Sequence, residues 1–282
     1  MCVSCSGKYS SKWSPYEKMA VESGLTWRNE NHKFHTEMYK MTKADVDKVL
    51  DIVPNLQHLT IKGGEPFADP NNIKILKKLA ETNPSCRVEI CTNMQLVTNT
   101  VIEILHKIDE VHIQASIDGV HEMYDWIRGG NFKRTVNNIK RYHEHSGRKV
   151  VIVSTVSVYN WMHLPELIDY WKAIEGVDRI SMANLVTFPK YCSPCYLDEH
   201  HIEEGRTKLF DYLKDWDKKS DTYYTTDNLH LSGMNNVLSV VQGDDDVKLI
   251  QERMVQWIDF CLVARENNED IYELAPYLND YR

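Results

Sequence analysis

From residue 56 to about 186 the chain alternates between short β-rich runs and longer stretches of helical periodicity. The runs lie at 58–62, 88–92, 111–117, 149–158 and 179–186, and Val, Ile and Thr recur in them, as suits a pleated strand. Between them, 70–82, 98–108, 132–145 and 163–175 repeat apolar residues at helical spacing. Strands joined by helices of this length form βαβ units, and their strands run parallel. Right-handed crossovers wind such units into a barrel or an open doubly wound sheet. Pro189 and the tract from Lys190 to Cys195 break the rhythm. Beyond them the pattern is mainly helical, at 199–217 and 246–266, with a polar connection around 218–228. The expected division is therefore 1–187 and 188–282.

Polar signals close the strands. Gly63-Gly64-Glu65-Pro66 follows the first run, Thr92-Asn93 closes the second, and Ser116 with Asp118-Gly119 closes the third. Each has a plain reading as a turn. Together they stand at the carboxyl ends of consecutive strands, where parallel α/β folds bind ligands. One mouth that holds a small polar ligand is the expectation.

Seven cysteines occur in a chain whose first residues do not read as a signal peptide, and the odd count argues against a disulfide framework. Four form two pairs of one spacing, Cys2-x-x-Cys5 and Cys192-x-x-Cys195. Paired thiols suit metal or iron–sulfur ligation, a redox pair or half of a zinc site. Cys86 and Cys261 read as small buried residues, and Trp161, Trp171, Trp216 and Trp257 as core. The net charge of −8 lacks the basic face that non-specific nucleic-acid binding needs. No apolar stretch is long enough to span a membrane, so the chain reads as cytoplasmic.

In order and approximate spacing, Cys2-x-x-Cys5, Gly63-Gly64-Glu65-Pro66, the Thr92-Asn93 strand end and Ser116-Ile117-Asp118-Gly119 resemble the radical S-adenosylmethionine (SAM) superfamily. The resemblance covers residues 2 to about 186. It implies an α/β fold, a partial (β/α)6 TIM-like barrel, with a mainly helical C-terminal extension. It implies a 4Fe-4S cluster on a C-x-x-x-C-x-x-C loop, and SAM at the open iron. Reductive cleavage of SAM would then give a 5′-deoxyadenosyl radical for hydrogen abstraction. Gly63, Gly64, Glu65 and Pro66 would lie along the SAM amino group, and Asn93 would stand at the same mouth. Ser116, Asp118 and Arg128 would approach its carboxylate and ribose. Arg128 otherwise reads as a surface charge. Ser10-Ser11-Lys12-Trp13, Phe188-Pro189-x-Tyr191 and Ile271–Pro276 look like the subgroup with a shortened auxiliary, or twitch, region. Cys192 and Cys195 would then hold an auxiliary cluster with Cys261, or zinc with His200 or His201, or remain plain thiols. The resemblance further implies an electron donor such as flavodoxin or ferredoxin. Its first implied substrate is a peptide or protein; a small molecule or nucleobase is the other.

Two departures stand out. Cys2 and Cys5 match the second and third signature cysteines, so the first is expected three residues upstream of Met1, after a first barrel strand. A protein that has lost its cluster and serves as a scaffold is the alternative. Ser4 stands where a large residue would pack on adenine. In the cluster reading, Cys2→Ala and Cys5→Ala each abolish both iron retention and SAM cleavage after anaerobic reconstitution. Full iron content in either variant contradicts the ligand assignment.

Overall fold

The computed structural model describes residues 2–3, 13–29, 41–220, 223–226, 229–265 and 269–282. Eight strands are present among them. β1 (His58–Ile61), β2 (Arg87–Thr92), β3 (Val111–Ser116), β4 (Val150–Val156) and β5 (Val177–Leu185) match the five β-rich runs. They pair in chain order and all in parallel. β6 (Asp217–Ser220), β7 (Tyr223–Thr225) and β8 (His230–Ser232) complete a sheet of order β1-β2-β3-β4-β5-β8-β7-β6. The sheet is not closed: β1 and β6 are its edges.

The helices are α1 (Ser14–Glu22), α2 (Lys43–Ile52), α3 (Pro70–Thr82), α4 (Asn99–His106), α5 (His121–Arg128), α6 (Phe132–Ser146), α7 (Leu164–Lys172), α8 (Glu199–Tyr212), α9 (Met234–Leu238), α10 (Val247–Ala264) and α11 (Ile271–Leu274). Local chemistry sets their ends. Pro70 opens α3 and the Asp69 carboxylate accepts the Asn71 N–H at 2.9 Å, which satisfies one of the donors a helix start leaves over. Asn131 caps α6 in the same way, and Gly147, at φ +70°, stops it. The strands alternate as the pleat requires, so that β4 buries Val150, Ile152, Ser154 and Val156. Trp161, Trp171 and Trp257 are fully buried and Trp216 nearly so, which agrees with their reading as core, and Trp126 is fully buried as well.

The stretch after 188 differs from expectation in one respect. The polar connection around 218–228 contributes β6 and β7, and β8 follows at once. Runs of three or four residues are too short to display a period of two. β8 is set by its partner: Arg179, Ile180 and Ser181 of β5 pair with His230, Leu231 and Ser232. The sheet therefore continues across residue 188.

α8 lies against the loop that follows β4. The Trp161 indole N–H donates to the His201 carbonyl at 2.9 Å, and a Cβ at Gly205 would run into that indole. Only glycine permits the approach. Gly205→Ala is expected to destabilise the protein by about 1–3 kcal/mol through overpacking. Urea unfolding measures this, and an unchanged midpoint would contradict the packing.

Candidate cofactor site

Because β1 to β5 are parallel, their carboxyl ends open on one side, and the polar clusters meet there. Glu65 ties the first to the second. Its carboxylate accepts the Thr92 hydroxyl at 2.6 Å, the Asn93 N–H at 2.8 Å and the Phe67 N–H at 3.3 Å. Gly63 and Gly64 precede it at φ +91° and +56°, in the left-handed region that glycine enters without strain. A Cβ at either would meet open space, so backbone conformation is what requires glycine within the chain itself. Pro66 is buried and begins a short 3-10 turn.

The Asn93 side chain is occupied locally, since its Oδ1 accepts the Gln95 N–H at 2.8 Å. The intervening Met94 adopts φ +59°. α5 and α6 brace this turn: Asn138 Nδ2 donates to the Met94 carbonyl at 2.7 Å, and the Tyr124 and Thr135 hydroxyls stand 2.9 Å apart. Burial raises the Tyr124 phenol above its ordinary range. On the next strand, Ser116 Oγ lies 3.4 Å from Cys91 Sγ, so the ends of β2 and β3 touch through their side chains.

Asp118 is buried at 3% exposure, yet both its carboxylate oxygens are used. Oδ1 accepts the Thr155 N–H at 2.7 Å, and Oδ2 accepts Arg128 Nη1 at 3.0 Å. The same Nη1 lies 4.0 Å from Cys2 Sγ. Arg128 is thus a bridge between a buried carboxylate and the first motif, and its surface-charge reading does not hold. Asn160, which the sequence reading passed over, donates to the carbonyls of Asp118 at 2.8 Å and Thr155 at 3.0 Å. Its signal was available: another amide side chain just past a strand end.

Three hydrogen bonds hold Cys2 and Val3. Val3 N–H donates to the Ile127 carbonyl at 2.9 Å, Trp13 Nε1 to the Cys2 carbonyl at 2.9 Å, and Trp257 Nε1 to the Val3 carbonyl at 3.1 Å. Cys5 and Ser4 lie outside the described residues.

The second pair behaves differently. Cys192 is fully buried, with its sulfur 3.3 Å from the Tyr159 hydroxyl, while Cys195 is half-buried. Among the described residues no three cysteine sulfurs lie within 4.8 Å of one another. Asp198, His200 and His201 do bring ligand atoms that close. The two His201 nitrogens, however, face the Tyr281 hydroxyl at 2.7 Å and Asp280 at 3.3 Å. Burial pushes the His201 imidazole below its ordinary value.

The family model described as the radical SAM superfamily matches residues 2–170. The chain belongs to the radical SAM superfamily. The sporulation killing factor maturation protein SkfB of Bacillus subtilis (strain 168) is 27% identical over 176 residues. That match covers 59% of this chain and 36% of SkfB, so the chain spans about a third of that relative. The crystal structure of Streptococcus suis SuiB overlays with a TM-score of 0.50 at 20% identity, covering 70% of this chain and 44% of SuiB. SuiB bound to S-adenosylmethionine overlays at 0.47 with 21% identity, over 65% and 42% of the two chains. Radical SAM enzymes use a 4Fe-4S cluster and SAM. No helix among the described residues is long and apolar enough to cross a membrane.

The Asp118–Arg128 pair is the most consequential contact at this mouth of the sheet. Asp118→Ala leaves the Thr155 N–H and a largely buried guanidinium without their acceptor, and is expected to cost about 3–5 kcal/mol. Asp118→Ala with Arg128→Ala should cost less than the sum of the two single changes. Urea titrations of the four proteins measure this, and strict additivity would show that the pair is not coupled.

Proposed function

We propose that this radical SAM enzyme modifies a peptide or protein. The observation that carries the reading is its 27% identity to SkfB, a protein named for maturation of a sporulation killing factor. A half-enclosed groove of about 280 Å³ supplies a place for a substrate side chain. Trp27, Phe188, Tyr191 and Arg253 are among the residues lining it. It follows the carboxyl end of β5 and reaches the site through Tyr191, whose ring lies 5.9 Å from Trp257, the residue that bonds Val3. A groove of that size, mostly apolar with a few charged groups, suits one side chain of an extended peptide.

The chemistry of the residues fits the family's cofactors. A guanidinium 4.0 Å from Cys2 Sγ favours a thiolate, the form in which cysteine ligates iron. We place the cluster on Cys2 and Cys5, and SAM along Gly63, Gly64, Glu65, Pro66, Asn93, Ser116, Asp118 and Arg128. When bound, the cluster supplies one electron to SAM, whose cleavage starts hydrogen abstraction from the substrate. The chain's own residues do the positioning. Glu65 clamps the glycine loop onto the end of β2, and Asp118 fixes the direction of Arg128. A flavodoxin or ferredoxin is the proposed source of the electron.

We read residues 1–187 as the catalytic unit and 188–282 as the auxiliary, twitch-like region. The hairpin of β6 and β7 and the long α10 support this by their position after the last strand of the βα series. Cys192 and Cys195 remain the candidates for an auxiliary site there.

The experiment gives the full-length, anaerobically reconstituted protein SAM, a reductant and perdeuterated cell extract split by size. Deuterium should enter 5′-deoxyadenosine from the peptide fraction. Transfer from the small-molecule fraction alone would overturn the peptide reading in favour of a small-molecule reaction.

A further inference from the structure

α10 presents Trp257, Cys261 and Arg265 at intervals of four residues, Arg265 being its C-cap. This spacing puts them on one helical face. Trp257 reaches Val3 directly, at 3.1 Å from Nε1 to the carbonyl oxygen. Arg265 lies further along the same face. Its Nη1 and Nη2 are both inaccessible to water, and neither has a hydrogen-bond partner among the described residues. The guanidinium sits 5.6 Å from the centre of the Trp126 ring. Burial pushes it below its ordinary value, while Cys261, Cys2, Tyr159 and Glu269, in that order, pull it back. It stays charged at any pH the protein meets.

A buried guanidinium with two unmatched nitrogens is unfavourable, and folded proteins pair such groups with an anion. The groups around it make a poor match. Trp126 offers a ring face, and Tyr159 a neutral hydroxyl already beside Cys192. Glu269 contributes the weakest of the four attractions. Arg128, the other cation near Cys2, differs, because Asp118 neutralises it at 3.0 Å. Among the described residues the surplus positive charge at this end of the site therefore belongs to Arg265, which stands over Trp126, and the next residue, Ile127, accepts the Val3 N–H at 2.9 Å.

We propose that Arg265 is the electrostatic partner of the anionic iron–sulfur cluster, held beside the Cys2–Val3 segment by α10, and that it raises the reduction potential of the cluster. The inference rests on the family's cofactor and not on the peptide reading. A cluster ligated by thiolates carries net negative charge, and reduction adds one more. A fixed cation in a water-poor site favours the more negative state, so its removal lowers the potential. The same cation burdens the protein when the cluster is absent. Arg265 thus has opposite effects on the two forms, which a residue that merely packs the core would not have.

The test compares Arg265→Met and Arg265→Lys with wild type in the full-length protein, without cluster and after reconstitution. Arg265→Met keeps the volume and removes the charge. Without cluster its thermal midpoint should rise by about 2 °C or more. With cluster, a titration followed by electron paramagnetic resonance should show a potential lower by about 59 mV, a tenfold loss of preference for the reduced state. Arg265→Lys should stay within about threefold of wild type. An unchanged potential in Arg265→Met overturns the proposal, and so does a fall in the midpoint of the cluster-free variant. A wild-type protein that takes up no cluster overturns the cofactor assignment together with it, whereas failure of peptide modification touches neither.

Discussion

A single buried carboxylate organises the mouth of this sheet. Asp118 stands just past β3, and its two oxygens reach the Thr155 N–H on β4 and the Arg128 guanidinium at the end of α5. Its carbonyl accepts from Asn160, beyond β4. One residue thus joins two strand ends and a helix end by charge-assisted bonds, which are stronger than neutral ones. The direction of Arg128 follows from it, and with that the approach of Arg128 to Cys2 Sγ at 4.0 Å. Glu65 does for β1 and β2 what Asp118 does for β3 and β4. In both cases an acid holds backbone donors in place, so the loops at the site are fixed by the ends of the strands rather than by their own sequences.

The C-terminal half supplies the other side of the site. α10 closes over Cys2 and Val3 through the Trp257 indole, and Trp13, whose ring packs 5.2 Å from that indole, bonds the Cys2 carbonyl. Two tryptophans with buried N–H groups each need an acceptor, and the Cys2 and Val3 carbonyls provide both. The conformation of this two-residue segment consequently depends on a residue more than 250 positions away in sequence. With β8 paired to β5, this makes the region after 188 part of the same packing that holds the site.

The five parallel strands were legible because Val, Ile and Thr recur in each run, β2, β3 and β4 alternate along their length, and a helical stretch follows each of the first four. The order of the polar clusters was legible too, since parallel strands place their carboxyl ends together by necessity. β6, β7 and β8 were not. Runs as short as Tyr223–Thr225 carry no periodicity, and their pairing is decided by a neighbour elsewhere in the chain. α5 was missed for a related reason: its eight residues make barely two turns, and its stop signal, Gly129 at φ +58°, reads from sequence as part of a Gly-Gly turn. Among the candidate residues, Asp118 and Arg128 were named for a ligand, and the structure adds that they bind each other.

The buried cations show most clearly where sequence reading runs out. Trp257, Cys261 and Arg265 are visible as a four-residue spacing, but nothing in the sequence says which face of α10 is inward or what it meets. A long helix with an apolar stripe has many possible partners, and burial alone assigned Trp257 and Cys261 to the core. Arg265 carries information because it breaks that pattern. A charged side chain at the end of an apolar face would ordinarily turn to water. Here its nitrogens are enclosed beside Trp126, where a hydrophobic residue would pack at lower cost. An anion bound at the site would offset the cost of that enclosure. Of the two guanidinium groups on this side of the Cys2–Val3 segment, Arg128 is paired with Asp118 and Arg265 has no hydrogen-bond partner at Nη1 or Nη2 among the described residues, and that asymmetry fits a site that receives negative charge.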